Sequence, residues 1–125
     1  MKSLKGKYLK LMQEKLDAMN NMLEIAQSQV FTGKEELAET EARAFADYYR
    51  MRMDYFARIK KAEDAMSVLD PLGEQDIADE TFSVRVVGYR EKMVAIARKM
   101  ADLDSANADA YRKISVYLRK DEDNE

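Results

Sequence analysis

The chain has 125 residues and a formal net charge of −3, with no Cys, no His, no Trp, one Pro and four Gly. That length fits one domain rather than two. Without Cys there is no disulfide framework and no Cys-ligated zinc or iron–sulfur site, and without His the commonest general base and transition-metal ligand is gone. No G-x-G-x-x-G or Walker sequence occurs, so no catalytic residue, metal or cofactor is expected. Charged residues make up 36% of the chain and the hydrophobic set 46%, a mixture that favours long amphipathic helices over disorder. Charge interrupts every apolar run, so neither a membrane span nor a signal peptide is expected, and the reading is of a cytoplasmic protein.

The first helix is predicted over about residues 3–31. Leu9, Met12, Leu16, Met19, Leu23, Ala26 and Val30 recur with 3,4 spacing, the pattern of a helix packed lengthwise on another. Leu4, Tyr8, Leu11, Ala18, Met22 and Ile25 form a second row beside it. A face that wide contacts two neighbours, or one neighbour and a partner. Thr32-Gly33-Lys34-Glu35 reads as a capping box, with Glu35 reaching back to Thr32.

The second helix is predicted over 34–69, folded back on the first. Its seam is Phe45, Tyr48, Arg52, Tyr55, Ile59, Ala62, Met66 and Leu69, with one Arg among the apolar positions. The acidic group Glu35, Glu36, Glu39 and Glu41 at its start reads as a solvated face. Arg43, Arg50, Arg52, Arg58, Lys60 and Lys61 alternate with Tyr48, Tyr49, Tyr55 and Phe56, but acids are mixed through the same stretch. That mixture suits intrahelical ion pairs better than nucleic acid. Asp70-Pro71-Leu72-Gly73 stops the helix.

The third helix is predicted over 80–119, with the seam Phe82, Val86, Tyr89, Met93, Ile96, Met100, Leu103, Asn107, Ala110, Ile114 and Tyr117. Two segments threaten it. Ser83–Tyr89 is β-branched enough to read as a strand, and Asp102, Asp104, Ser105, Asn107 and Asp109 are cap-like, so the helix is expected to kink or split there. The acidic tail, 121–125, is expected to be disordered. The whole is an all-α protein, an elongated antiparallel three-helix bundle of coiled-coil type, with residues 1–120 as a single domain.

Tyr111, Ile114, Tyr117 and Leu118 form an aromatic-aliphatic patch near the C-terminus, flanked by Arg112, Lys113, Arg119 and Lys120. Because the first helix is the shortest, one end of the bundle lacks its third member, and the groove there fits an amphipathic helix from a partner protein. Tyr8, Leu11 and Met22 extend the candidate surface. Replacing Ile114 and Leu118 together by Asp is expected to abolish partner binding and leave helicity intact. The competing reading is a structural coiled-coil homodimer or scaffold, joined through the second apolar row of the first helix at Met22 and Ile25.

Tyr8-Leu9-Lys10-Leu11-Met12-Gln13-Glu14-Lys15-Leu16, followed by Met19, Met22, Leu23 and Ile25-Ala26-Gln27, resembles the first helix of bacterial flagellar export chaperones of the FlgN/FliT-like type. Ile96-Ala97-Arg98-Lys99-Met100-Ala101-Asp102-Leu103-Asp104, leading into Ala110-Tyr111-Arg112-Lys113-Ile114, is similar in layout to their partner-binding C-terminal helix. The resemblance implies a cytosolic helical chaperone that holds a flagellar or type III secretion substrate by its terminal amphipathic segment until export. No nucleic-acid, membrane or cofactor partner goes with it.

Overall fold

Both apolar rows of the first segment are used. They form α1 (Leu4–Ser28), in which Met12, Leu16, Leu23 and Ala26 of one row and Ala18 and Met22 of the other are buried. The computed structural model describes residues 4–69 and 80–123. In it α1 packs along two helices, α2 (Ala38–Leu69) and α3 (Glu80–Ala106). The second row of α1 is therefore covered from within at Ala18 and Met22, half-covered at Tyr8, Leu11 and Ile25, and open at Leu4. Met22 is 5% exposed, so its side chain is taken up within the chain, whereas Ile25, the other residue expected at a homodimer surface, is half-buried.

α2 runs antiparallel to α1, as shown by the Lys15–Glu63 ion pair at 3.0 Å. α3 runs parallel to α1. The Tyr8 and Phe82 rings lie 5.9 Å apart, and one to two turns further on the Tyr89 hydroxyl donates to Gln13 Oε1 at 2.9 Å. Ser83–Tyr89 is helical, because the seam residues Phe82, Val86 and Tyr89 all pack on the core, and that burial outweighs the β-branched propensity.

The protein is all-α, but among the described residues it has four α-helices where the periodicity predicts three. The third divides at Asn107 into α3 and α4 (Ala108–Asp123). The Asn107 backbone N–H and its side-chain Nδ2 both donate to the Leu103 carbonyl, at 3.0 and 2.9 Å, and the Tyr111 N–H still reaches the Asn107 carbonyl at 2.9 Å. A side-chain amide competing for a backbone acceptor is a local route out of regular helix. The break is one residue wide, so the seam continues in phase through Ala110 and Ile114, both buried.

α1 ends three residues earlier than predicted. The Gln29 N–H closes on the Ala26 carbonyl at 3.3 Å, and the Ser28 hydroxyl donates to the Ile25 carbonyl at 2.9 Å. Val30, placed in the seam by spacing, consequently faces solvent, and Phe31 enters the core instead at 6% exposure. The expected capping box does not form. Glu41, not Glu35, receives the Thr32 amide and hydroxyl at 2.8 and 2.7 Å on Oε1 and the Gly33 amide at 2.8 Å on Oε2. A 3₁₀ turn at Glu35–Leu37 delays the start of α2 and carries Glu35 away from Thr32. Gly33 has φ +70°, and a Cβ there would lie 3.1 Å from the Ala110 Cα, so the tight connector needs glycine on both counts.

α2 ends at Leu69, in line with the stop at Asp70-Pro71, although those residues and the connector to 79 lie outside the described residues. α4 continues to Asp123, so the first three residues of the acidic tail are helical, and 124–125 lie outside the described residues. No helix among the described residues is long and apolar enough to cross a membrane.

Candidate functional site

α1 is about 37 Å long and α2 about 48 Å at 1.5 Å per residue. The Lys15–Glu63 register puts the end of α1 level with about Arg50, so the first turns of α2 extend past it. There α4 is the helix packed on α2, and the missing third member is replaced by a single side chain. The Phe31 ring sits 5.7, 6.0 and 5.8 Å from the rings of Phe45, Tyr48 and Tyr111. The Phe45 ring lies 5.3 Å from Tyr111 and stacks on Tyr49 at 6.1 Å. Five rings thus join the connector, α2 and α4. Tilted and edge-to-face pairs at such distances add to the gain from burial alone.

Below this cluster the one Arg of the α2 seam finds its partner. Arg52 forks onto Asp104 of α3, with Nη1 2.8 Å from Oδ1 and Nη2 2.7 Å from Oδ2, and Nη1 also donates to the Tyr48 hydroxyl at 3.1 Å. The hydrogen bonds to Asp104 hold the guanidinium pKa above its ordinary value. Burial, with Tyr48 and Asp104 close by, pushes the Tyr111 hydroxyl up to about 12. The fork is bidentate and half-buried, whereas Arg112–Asp109 is an exposed intrahelical pair. Asp104→Asn is therefore expected to lower the stability measured by urea unfolding by about 1–2 kcal/mol, and Asp109→Asn by under about 0.5 kcal/mol.

α2 and α3 make little direct backbone contact, and between them lies a groove of about 340 Å³ lined by Phe45, Tyr48, Tyr49, Arg52, Met53, Phe56, Asp104 and Tyr111. Tyr49 is 53% exposed, and Met53 and Phe56 are also exposed large hydrophobics. With Phe45 they stand at 4,4,3 spacing, one apolar stripe along the outer lip, and Arg52 lies over the Phe56 ring at 5.6 Å. The groove is concave and mostly apolar, with a fixed ion pair at its edge.

The seven residues expected to form a binding surface do not share one. Ile114 is 2% exposed and Met22 is buried, so neither side chain is available to a partner. The open patch expected around Ile114 is absent because the connector and α2 close over that face of α4. Tyr117 and Leu118 are half-buried and packed against the core, and Tyr117 borders a second cavity of about 240 Å³ with Gly33, Lys34, Glu41 and Lys113. Tyr8, against Phe82, and Leu11, beside Ala62 and Ala65, belong to the opposite end of α1. Of the seven, Tyr111 alone lines the aromatic groove.

Sequence reasoning misses the stripe Tyr49, Met53 and Phe56, although its spacing beside the α2 seam is a usable signal. The expected intrahelical pairs do form over the same stretch, Arg43–Glu39 at 2.8 Å and Arg50–Asp47 at 3.3 Å. Glu35, Glu36 and Glu39 are solvated as expected, and Glu41 is the exception, buried under the connector. Among the described residues no group of three or more acidic side chains is placed to hold a metal ion. No protein-family model, curated protein or solved structure matches the chain.

Proposed function

We propose that the chain is a non-enzymatic, cytoplasmic helical chaperone that holds the terminal amphipathic helix of a flagellar or related type III secretion subunit in the α2–α3/α4 groove. The observation that carries the reading is the exposed stripe Tyr49, Met53 and Phe56 beside a half-buried aromatic floor. Exposed large apolar side chains in a continuous row beside a groove mark a protein-binding surface more often than a solvent-facing one. The resemblance of the first and last helical segments to FlgN/FliT-like chaperones supplies the class of partner. Covering the sticky terminus of an unassembled subunit keeps it from polymerising early, and a groove that is apolar with one fixed charge pair does this without demanding one sequence.

Calorimetric titration with synthetic terminal segments of hook-associated and filament-cap subunits tests this. One-to-one binding in the micromolar range is expected, weakened at least tenfold by Met53→Glu with Phe56→Glu. Both positions are exposed, so the far-ultraviolet circular dichroism should be unchanged. Absence of binding to every such segment, or binding indifferent to both substitutions, overturns the assignment.

A further inference from the structure

The outer face of α3 carries a second feature that the groove does not explain. Val84, Val87 and Val94 are exposed large hydrophobics. At 100° per residue they cluster on the side opposite the buried residues Val86, Met93, Ile96 and Met100, with Glu91, Ala95, Arg98, Ala101, Asp102 and Ser105 on the same side. β-branched side chains are poor choices for an exposed helix surface, where Ala, Glu or Lys favours the helix more. Val87, Arg90, Glu91, Val94, Ala95 and Arg98 border one shallow depression. Among the described residues neither Glu91 nor Arg98 makes an ion pair within the chain. The helical neighbours of Glu91 at three and four residues' distance are Val87, Gly88, Val94 and Ala95, so no intrahelical partner is within reach.

This face is complementary to itself. Turned end for end about the Val94–Ala95 step, residue 91 meets 98, Gly88 meets Ala101, Val87 meets Asp102, and 84 meets 105. We propose that two copies of the chain pair antiparallel through the outer faces of α3, with Glu91 of each copy against Arg98 of the other and Val94 packed on Ala95 at the centre. A two-fold axis makes both ion pairs from one arrangement, as an isologous contact requires. The small residues Gly88, Ala95 and Ala101 permit close approach, and a Cβ placed at Gly88 meets nothing within 4 Å in its own chain. A contact of one helix pair from residue 84 to residue 105, about 32 Å, is at the small end of specific interfaces, so a dimer in the range of about 10 μM is expected. α3 contributes only Asp104 to the aromatic groove, about 100° around the helix from Ser105, and the pairing does not depend on the chaperone reading.

Sedimentation equilibrium of the full chain from about 2 μM to about 200 μM, a range that brackets that affinity, tests the pairing. Glu91→Arg and Arg98→Glu should each weaken the dimer at least tenfold by setting like charges together. The double variant E91R/R98E should recover to within about threefold of the parent, because the exchanged charges again face their opposites across the two-fold axis. All these positions are exposed, and circular dichroism checks the fold. The register has its own test, since the chain has no native Cys. Under mild oxidation V84C/S105C should form a covalent dimer, whereas V84C alone and S105C alone should remain uncrosslinked. A monomer throughout the range, a dimer insensitive to both charge reversals, or failure of V84C/S105C to crosslink overturns the proposal.

Discussion

Ile114→Asp should unfold the protein rather than blunt a binding surface. Ile114 is 2% exposed, the most fully enclosed large side chain among the described residues, and it stands on α4 where that helix meets the connector. Truncating the side chain alone, as in Ile114→Ala, is expected to cost about 2–4 kcal/mol. An aspartate there adds the cost of an unpaired carboxylate in an apolar site, or of shifting its pKa until it is neutral. The sum is at least about 4 kcal/mol, a large share of the roughly 5–15 kcal/mol that holds a domain of this kind together. Urea unfolding followed by far-ultraviolet circular dichroism should show Ile114→Ala folded with a lower midpoint, and Ile114→Asp lacking a cooperative transition. Leu118→Asp, at a half-buried position, should lose about 1–2 kcal/mol and keep its helicity. Loss of binding in an Ile114/Leu118 double Asp variant would therefore report unfolding, and the groove variants at Met53 and Phe56 are the ones that separate binding from stability. An Ile114→Asp protein with parental helicity and midpoint would contradict the burial on which this rests.

That contrast shows how much of the molecule is legible in its residues. Hydrophobic periodicity places the helical segments and their core faces: Met12, Leu16, Tyr48, Ile59, Met93, Ile96 and Met100 are predicted seam positions and are buried. The width of the apolar face on α1 calls for two neighbours, or one neighbour and a partner, and the fold supplies two helices. The cap-like residues around Asn107 mark where the last helix divides. Periodicity assigns a side chain to a face but does not say what lies across from it. Ile114 and Met53 look equally apolar in sequence, yet the connector and α2 close over the first and leave the second exposed. The entry of Phe31 into the core depends on α1 ending at Ser28, and a shift of a few residues at a helix end is the least readable feature of a sequence. Arg52 looks like an interruption of the seam because its partner, Asp104, is 52 residues away. The same limit applies to Glu41. The local Thr-x-x-Glu spacing points to Glu35, whereas the observed acceptor lies further along the chain, across a 3₁₀ turn that no motif announces.

Glu41 carries the second large effect, because it holds the connector that delivers Phe31 to the aromatic cluster. The residue is 6% exposed, and its carboxylate accepts three hydrogen bonds, from the Thr32 amide, the Thr32 hydroxyl and the Gly33 amide. Burial alone would raise its pKa. The bonds from Thr32 and Gly33, with the Lys34 charge nearby, outweigh it and hold the carboxyl below its ordinary 4.5. Glu41→Ala leaves two backbone amides under the connector without their acceptor and should cost about 2–3 kcal/mol by urea unfolding at pH 7. Glu41→Gln keeps one oxygen but turns an NH₂ group toward a donor, and should lose nearly as much. The sign of the pH dependence follows from the depressed pKa. The unfolded chain takes up the proton first, so the contribution of Glu41 is fully present above about pH 4.5 and falls away as the pH drops through the folded-state value. The stability gap between the parent and Glu41→Gln should therefore be constant from pH 7 to about pH 5 and close progressively below about pH 4.5. Near-ultraviolet circular dichroism gives a local readout. Loosening the connector should weaken the tyrosine signal from Tyr48 and Tyr111, which pack on Phe31, before helicity is lost. A gap that persists unchanged into acid, or a parental tyrosine signal in Glu41→Ala, would show that Phe31 is held in place by its ring contacts alone.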